Sequence, residues 1–319
     1  NYVERRQPRW LIGIRALPPA LAEKARLELN EEPNRLKDDI QHLKDWIAKQ
    51  PHLRARTDDQ WLLTFLRGCK FSLERSKEKL DLFYSIRSTA PELFSVKHTD
   101  PMFEDISISR AILILPKTAG PDSPRVTLVR PGKYNPDKYN ITEVWYSLQI
   151  ILMDDDHTVV AGSVSILDLE GVTMGHFLQM TPANMKKMTV LGQDATPMRM
   201  KGVHYLNTPT GFETIFNVMK SLLNEKNRNR LHVHNTNYEE LYKYIPKDIL
   251  PAEYGGNGGT QQEIGMCSIP TQAKDALEYN AFLEEDIQYG TDESKRPGKP
   301  RTAEDMFGAE GSFRKLEVD

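Results

Sequence analysis

The feature that most restricts the fold of this chain is a change of hydrophobic period near Pro101. Before it, apolar residues recur at helical spacing. Leu36, Ile40, Leu43 and Ile47 stand at i, i+4, i+7 and i+11, and Trp61, Leu62, Phe65 and Leu66 mark one face up to Gly68. Thr57-Asp58-Asp59-Gln60 has the form of a capping box opening the second of these helices, and Ser72 opens a third that carries Leu73, Leu80, Phe83 and Tyr84. That third helix must stop before Pro91, whose ring drives the preceding residue out of helical geometry. After Pro101 come short β-rich runs at residues 111–116, 125–130, 162–169, 201–207 and 231–235, separated by helical patterns. This alternation predicts an α/β sheet. Two of the intervening helices have clear start signals, Asn140 with Glu143 three residues on, and Thr181 followed by Pro182.

Charge and cysteine usage narrow the function classes. With 319 residues and a formal charge of −3, the chain has no global attraction to nucleic acid, so a basic surface must be local. Uncharged runs such as residues 157–167 and 202–212 fall short of the ~18 apolar residues of a membrane span. A soluble or peripheral protein is expected. Cys69 and Cys267 are far apart and form no CxxC pair, which points to a reducing, intracellular compartment and against a disulfide scaffold or thiolate zinc site. The opening Asn1-Tyr2-Val3-Glu4-Arg5-Arg6 lacks the apolar centre of a signal peptide.

Several motifs have ordinary explanations. Gly255-Gly256-Asn257-Gly258-Gly259 is followed by no Lys-Ser/Thr and fails the GxGxxG spacing, so it is expected to be a turn. His232 and His234 share a strand face but lack a third metal ligand nearby in sequence, which favours a structural role. Asp154-Asp155-Asp156-His157 lacks the glycine and distant glutamate of a calcium loop and is expected to be a solvated loop at a helix end. No GxSxG, HExxH or Cys-His pattern supports catalysis, and no metal or cofactor is expected. Residues 290–302, with Lys295-Arg296-Pro297-Gly298-Lys299-Pro300, have the composition of an extended linker beyond a helical pattern at 276–287.

Two features stand out. Phe212, Ile215, Phe216, Met219, Leu222 and Leu223 form a stripe at i, i+3, i+4, i+7, i+10 and i+11, which pattern alone would assign to core packing. Around it, Lys186, Lys187, Arg199, Lys201, Lys220, Lys226, Arg228 and Arg230 face only Asp194, Glu213 and Glu225, a local charge of +5 in a chain of −3. A basic zone bracketing an apolar helix suits a membrane-docking surface.

At these residues the chain resembles the CRAL-TRIO lipid-binding family, closest to its tocopherol-transfer and retinaldehyde-binding branch. The resemblance rests on Phe65-Leu66-Arg67, Asp168-Leu169-Glu170-Gly171, Gln193-Asp194 through Pro197, Lys201-Gly202-Val203-His204-Tyr205-Leu206-Asn207, and Ile249-Leu250-Pro251-Ala252-Glu253-Tyr254-Gly255-Gly256. The tail ending Gly311-Ser312-Phe313-Arg314-Lys315-Leu316 is similar to invertebrate members. The resemblance implies an N-terminal extension (1–34), a helical module (35–92), an α/β lipid-binding domain with a mobile amphipathic lid helix (93–260), and a C-terminal helix with an extended tail (261–319). It places a phosphoinositide head group on Lys187, Arg199, Lys201, Lys226 and Arg230. A further basic family position is Cys69 here, with Lys70 beside it.

The resemblance further implies a pocket drawn from Val144, Ser147, Leu148, Ile151, Ser163, Leu167, Met180, Leu191, Met198 and Val203, beneath a lid of Phe212, Ile215, Phe216, Met219, Leu222 and Leu223. The expected function is a non-enzymatic intracellular carrier of one retinoid, tocopherol, carotenoid or similar lipid. It would be cytoplasmic and peripherally attached to endosomal or plasma membrane through phosphoinositides. The alternative is a phosphoinositide-dependent sensor or adaptor that regulates a protein partner of unknown identity.

Overall fold

The computed structural model describes residues 13–94, 101, 105, 108–268, 284–286 and 288–308, without the side chains of Ser147 and residues 266–268. Its first part holds four helices: α1 (Pro19–Leu29), α2 (Leu36–Ala48), α3 (Asp59–Gly68) and α4 (Leu73–Thr89). Ile40, Leu43 and Ile47 of α2 are buried, as their spacing predicts, and α3 buries every residue from Gln60 to Arg67. Trp61, Phe65 and Phe83 meet edge-on with ring centres 5.6–5.9 Å apart, the arrangement aromatic quadrupoles favour. The capping box expected before α3 does not form. Asp58 is the N-cap without a side-chain bond, and Gln60 instead accepts from the Arg15 backbone N–H at 3.0 Å and donates to Asp156 at 2.8 Å. Helix α1 carries Leu21, Ala25 and Leu29 on one face, buried against Val160 and Ala161, and ends at Asn30 in left-handed geometry (φ 63°).

The second part is a five-stranded sheet of β2 (Ile112–Ile114), β3 (Arg125–Val129), β4 (Ser163–Asp168), β5 (Met200–Leu206) and β6 (Leu231–Asn235), in that spatial order. β2 runs antiparallel to β3 and the other pairs are parallel, so the alternating runs give the expected α/β fold. Between β3 and β4 lie α5 (Ile141–Asp154) and α6 (Asp156–Ala161), and between β4 and β5 lie α7 (Met174–Gln179) and α8 (Pro182–Thr189). α5 opens with the predicted Asn140/Glu143 capping box, and α8 with the Thr181 side chain bonded to the Asn184 N–H. α8 continues into one wide π turn, Val190–Ala195. α9 (Phe212–Leu222) and α10 (Glu225–Arg228) connect β5 to β6, and α11 (Tyr238–Leu241) and α12 (Gln261–Ser268) follow. Leu241 of α11 and Ile264 of α12 pack with Ile166 and Leu206 on one face of the sheet. Gly255–Gly259 is the expected turn, with the Gly258 N–H bonded to the Leu250 carbonyl at 2.8 Å.

The helices and the sheet domain share one core, in which Leu66 and Phe83 pack with Leu148 and Leu191. Gly68 permits the approach, since a side-chain carbon there would lie 2.1 Å from the Pro197 carbonyl oxygen. Lys79, buried on α4, donates to the carbonyls of Gln193 (3.1 Å), Asp194 (2.8 Å) and Thr196 (2.8 Å) of the π turn and its exit. Burial holds this ammonium down to about 8. The Asp154–His157 run is not the solvated loop that was expected. Asp156 pairs with Arg67 at 2.9 Å and with Arg15 at 2.5 Å, Asp155 caps α6 and pairs with Arg125 at 3.0 Å, and the His157 ring bonds the Ser123 carbonyl at 2.6 Å. A polar cluster of this kind is a clamp between modules rather than a cation site.

The linker expected at 290–302 also takes a different form. Gly290–Thr291 forms β7, antiparallel to β1 (Leu53–Arg54). Beyond it, Arg296 and Arg301 both reach Asp81 of α4, at 2.7 and 2.9 Å, and the chain continues to α13 (Ala303–Phe307). Composition alone concealed these long-range ion pairs. The helical pattern at 276–287, apart from residues 284–286, and the stretch 311–316 lie outside the described residues.

Candidate functional site

The apolar stripe of the sequence is helix α9, whose setting is unlike that of a core helix. Only Phe212 is buried; Ile215, Phe216, Met219 and Leu222, with Leu223 just beyond the helix, are half-buried. Its contacts run to the sheet through Tyr205, whose ring centre lies 5.2 Å from Phe212 and 5.3 Å from Phe216, and whose hydroxyl is 3.6 Å from the Met219 sulfur. Gly211, at φ 87°, precedes the helix in a conformation that glycine adopts without strain. At the other end, the Gln193 side-chain oxygen accepts from the Asn224 backbone N–H at 2.9 Å and the Asn227 amide at 3.1 Å. The helix is thus held between a left-handed glycine and a clasp on the π turn.

The strand period defines what lies beneath it. Residues alternate faces along a strand, so Val203 shares the Tyr205 face of β5, and the register Ser165↔Val203 and Leu167↔Tyr205 places Ser165 and Leu167 on it too. The opposite face carries Ile166 and Leu206, both fully buried. Ser165, Leu167 and Val203 on the α9 side keep partial exposure. Ile151, Met180 and Met198 are also half-buried, Met198 being packed against the core shared with the helices. A sheet floor with incompletely covered apolar side chains beneath a half-buried helix suits a hydrophobic ligand.

Beside this floor is a group of positive charges. Burial and the neighbouring charges of Arg230, Lys70, Arg199 and Arg75 hold the Lys226 ammonium below its ordinary value. Lys201 is lowered likewise, by burial and then by Arg199, Lys24 and Arg230, with Glu28 opposing. Arg199 donates to the Val160 carbonyl and to Glu28, the latter at 2.9 Å, and Arg230 to the Met200 carbonyl. Mutually repelling cations of this kind favour an anion among them.

Two family matches cover most of the chain: a Pinta-like, UBA domain over residues 32–105 and a CRAL/TRIO domain over residues 111–256. A Homo sapiens alpha-tocopherol transfer protein-like protein is 34% identical over 249 residues, which are 76% of this chain and 72% of that one. The chain belongs to the CRAL-TRIO family. Clavesin-2 of Mus musculus is 29% identical over 297 residues, covering 89% of this chain and 85% of its own. The crystal structure of Sfh5 superposes with a TM-score of 0.50 at 14% identity, over 86% of this chain and 100% of that one, a likeness of fold.

Within this CRAL-TRIO domain, the structure brings Arg199, Lys201, Lys226 and Arg230 into one electrostatic group. Lys187 has a different neighbour, Glu92 of the helical module, at 2.6 Å. Val144, Leu148 and Leu191 are buried in the shared core, Ser163 is buried at the start of β4, and the Ser147 side chain lies outside the described residues. Cys69 is buried and its thiol is pushed up by that burial. The sequence reading missed Lys24 and Arg75, which join the basic group from the helices; only knowledge of the packing reveals them. It also missed Met174 and Leu178 of α7, which are 70% and 71% exposed. They follow the carboxyl end of β4 as α9 follows that of β5, so both helices lie at one end of the parallel pair.

His232 and His234 stand in a cluster of stacked rings with His204. The His204 ring stacks with both and its Nδ1 lies 2.9 Å from Nε2 of His234; among the described residues no group of three or more His, Cys, Asp or Glu side chains is arranged to hold a metal ion. Nor is any described helix long and apolar enough to cross a membrane.

Proposed function

We propose that this chain is a non-enzymatic carrier that holds one hydrophobic molecule, of the retinoid, tocopherol, carotenoid or similar isoprenoid class, between the sheet and α9. It exchanges that molecule at cytoplasmic membrane surfaces, endosomal or plasma, that bear phosphoinositides. The observation that carries this reading is the half-buried state of α9 beside the basic group. Each large apolar side chain gains roughly 1.5–3 kcal/mol on full burial, so Ile215, Phe216, Met219 and Leu222 gain either by closing over a ligand or by entering a bilayer interface. Two environments of similar free energy permit switching. The basic group tilts the balance towards an anionic leaflet by about 1 kcal/mol per Lys or Arg near the surface.

Met174 and Leu178 extend the apolar surface available to the membrane. The test is mass spectrometry of the organic extract of the purified protein, followed by transfer of the identified molecule between vesicles. Stoichiometric extraction of one hydrophobic compound and protein-dependent transfer support the carrier. Partner affinity that changes with loading, without transfer, would favour the adaptor.

A further inference from the structure

One carboxylate stands inside the basic group. Glu28, near the end of α1, accepts from Arg199 at 2.9 Å and from Lys24 at 3.0 Å. Lys24 also reaches Asp122 at 3.2 Å, so Glu28 is the acidic partner that Arg199 and Lys24 share. Its carboxylate is held down at about 2, chiefly by the bonds from Arg199 and Lys24, so it is ionised throughout the neutral range. α1 itself is seated by Leu21, Ala25 and Leu29 against Val160 and Ala161, and the Val160 carbonyl accepts from the same Arg199. The carboxylate is therefore fixed where an incoming phosphate would seek the same guanidinium.

We propose that Glu28 is a built-in counter-anion of the basic group, which a phosphoinositide phosphate must displace from Arg199 and Lys24 before the head group can seat. This rests on the head-group reading above. A singly charged lipid head offers no gain over the resident carboxylate, whereas a polyphosphorylated one brings more charge to the same cations. Glu28 thus biases the site by head-group charge. It disfavours the monovalent anionic lipids that outnumber phosphoinositides, and the bias resides in a helix outside the CRAL/TRIO match.

The experiment compares wild type, Glu28→Gln and Glu23→Gln for binding to phosphatidylcholine vesicles containing either phosphatidylserine or phosphatidylinositol bisphosphate, with soluble inositol polyphosphate as competitor. Glu23 lies on the same helix and pairs with Arg26 at 2.7 Å, so its neutralisation makes the same change in net charge at a different ion pair. The amide of Glu28→Gln can still accept from Arg199, which preserves the seat of α1. Glu28→Gln should bind both anionic vesicles about two- to fivefold more tightly, with the larger gain on phosphatidylserine, the change a single partly exposed ion pair can produce. Glu23→Gln should match wild type. Competition by the soluble polyphosphate assigns the effect to the head group rather than to apolar insertion. Unchanged or weaker binding by Glu28→Gln, or equal tightening by both variants, would overturn the counter-anion. Wild-type binding that ignores both salt and head group would instead remove the head-group reading, and this inference with it.

Discussion

Lys79 joins the helical module to the sheet domain through three carbonyl groups, and its removal should be felt in folding rather than in lipid contact. Lys79→Met keeps the aliphatic length but leaves three carbonyls without their donor, so urea denaturation should show a loss of about 3 kcal/mol. His204 has a consequence of another kind. Burial, then the charges of His232 and His234, lower it to about 3, while an unfolded imidazole titrates near 6.5. Between those values the unfolded chain binds more protons, so stability falls as pH drops below about 6.5, at up to about 1.4 kcal/mol per pH unit for one site. His204→Gln should flatten the fall in melting temperature between about pH 7 and pH 5 without removing it, because His232 and His234 are also lowered. An unchanged slope would assign the acid sensitivity elsewhere. The sequence showed the basic residues but not their partners: Arg67 finds Asp156 across 89 positions, and no local pattern encodes such a pair.

At the scale of elements, α9 was legible because its stripe has the helical period, and the five strands because their β-rich runs are bounded by turn residues. The half-buried state of that stripe was not legible, since periodicity gives a face and never what covers it. α1 was overlooked although Leu21, Ala25 and Leu29 keep helical spacing; its burial depends on α6, far along the chain. Phe216 and Met219 lie on the half-buried face of α9 that the proposed carrier function makes a lid, so Phe216→Asp with Met219→Asp should weaken both vesicle attachment and ligand retention while the melting temperature changes little. Flotation and ligand-retention assays on the folded variant check this; values equal to wild type in both would return α9 to ordinary packing. Met174→Asp with Leu178→Asp, by contrast, should reduce vesicle attachment alone, because these side chains are exposed.

For the whole molecule, the decisive features are the shared core and the return of the tail to the first module. β7 pairs with β1, and Arg296 and Arg301 converge on Asp81, so a chain ending at residue 289 should unfold at lower urea concentration than the full chain. Composition suggested a free linker there because Pro, Gly, Lys and Arg signal solvated chain when nothing shows their partners. The proposed carrier joins an apolar cargo to an anionic membrane, and one assay addresses both. Loaded protein is mixed with acceptor vesicles with and without phosphatidylinositol bisphosphate, and cargo delivery is followed as salt is raised, shortening the Debye length from roughly 10 Å at 0.1 M to roughly 3 Å at 1 M. Delivery that is faster to phosphoinositide vesicles, and slows towards the rate for neutral ones as salt rises, is the result predicted. Delivery at one rate to both, at every salt concentration, would contradict the account.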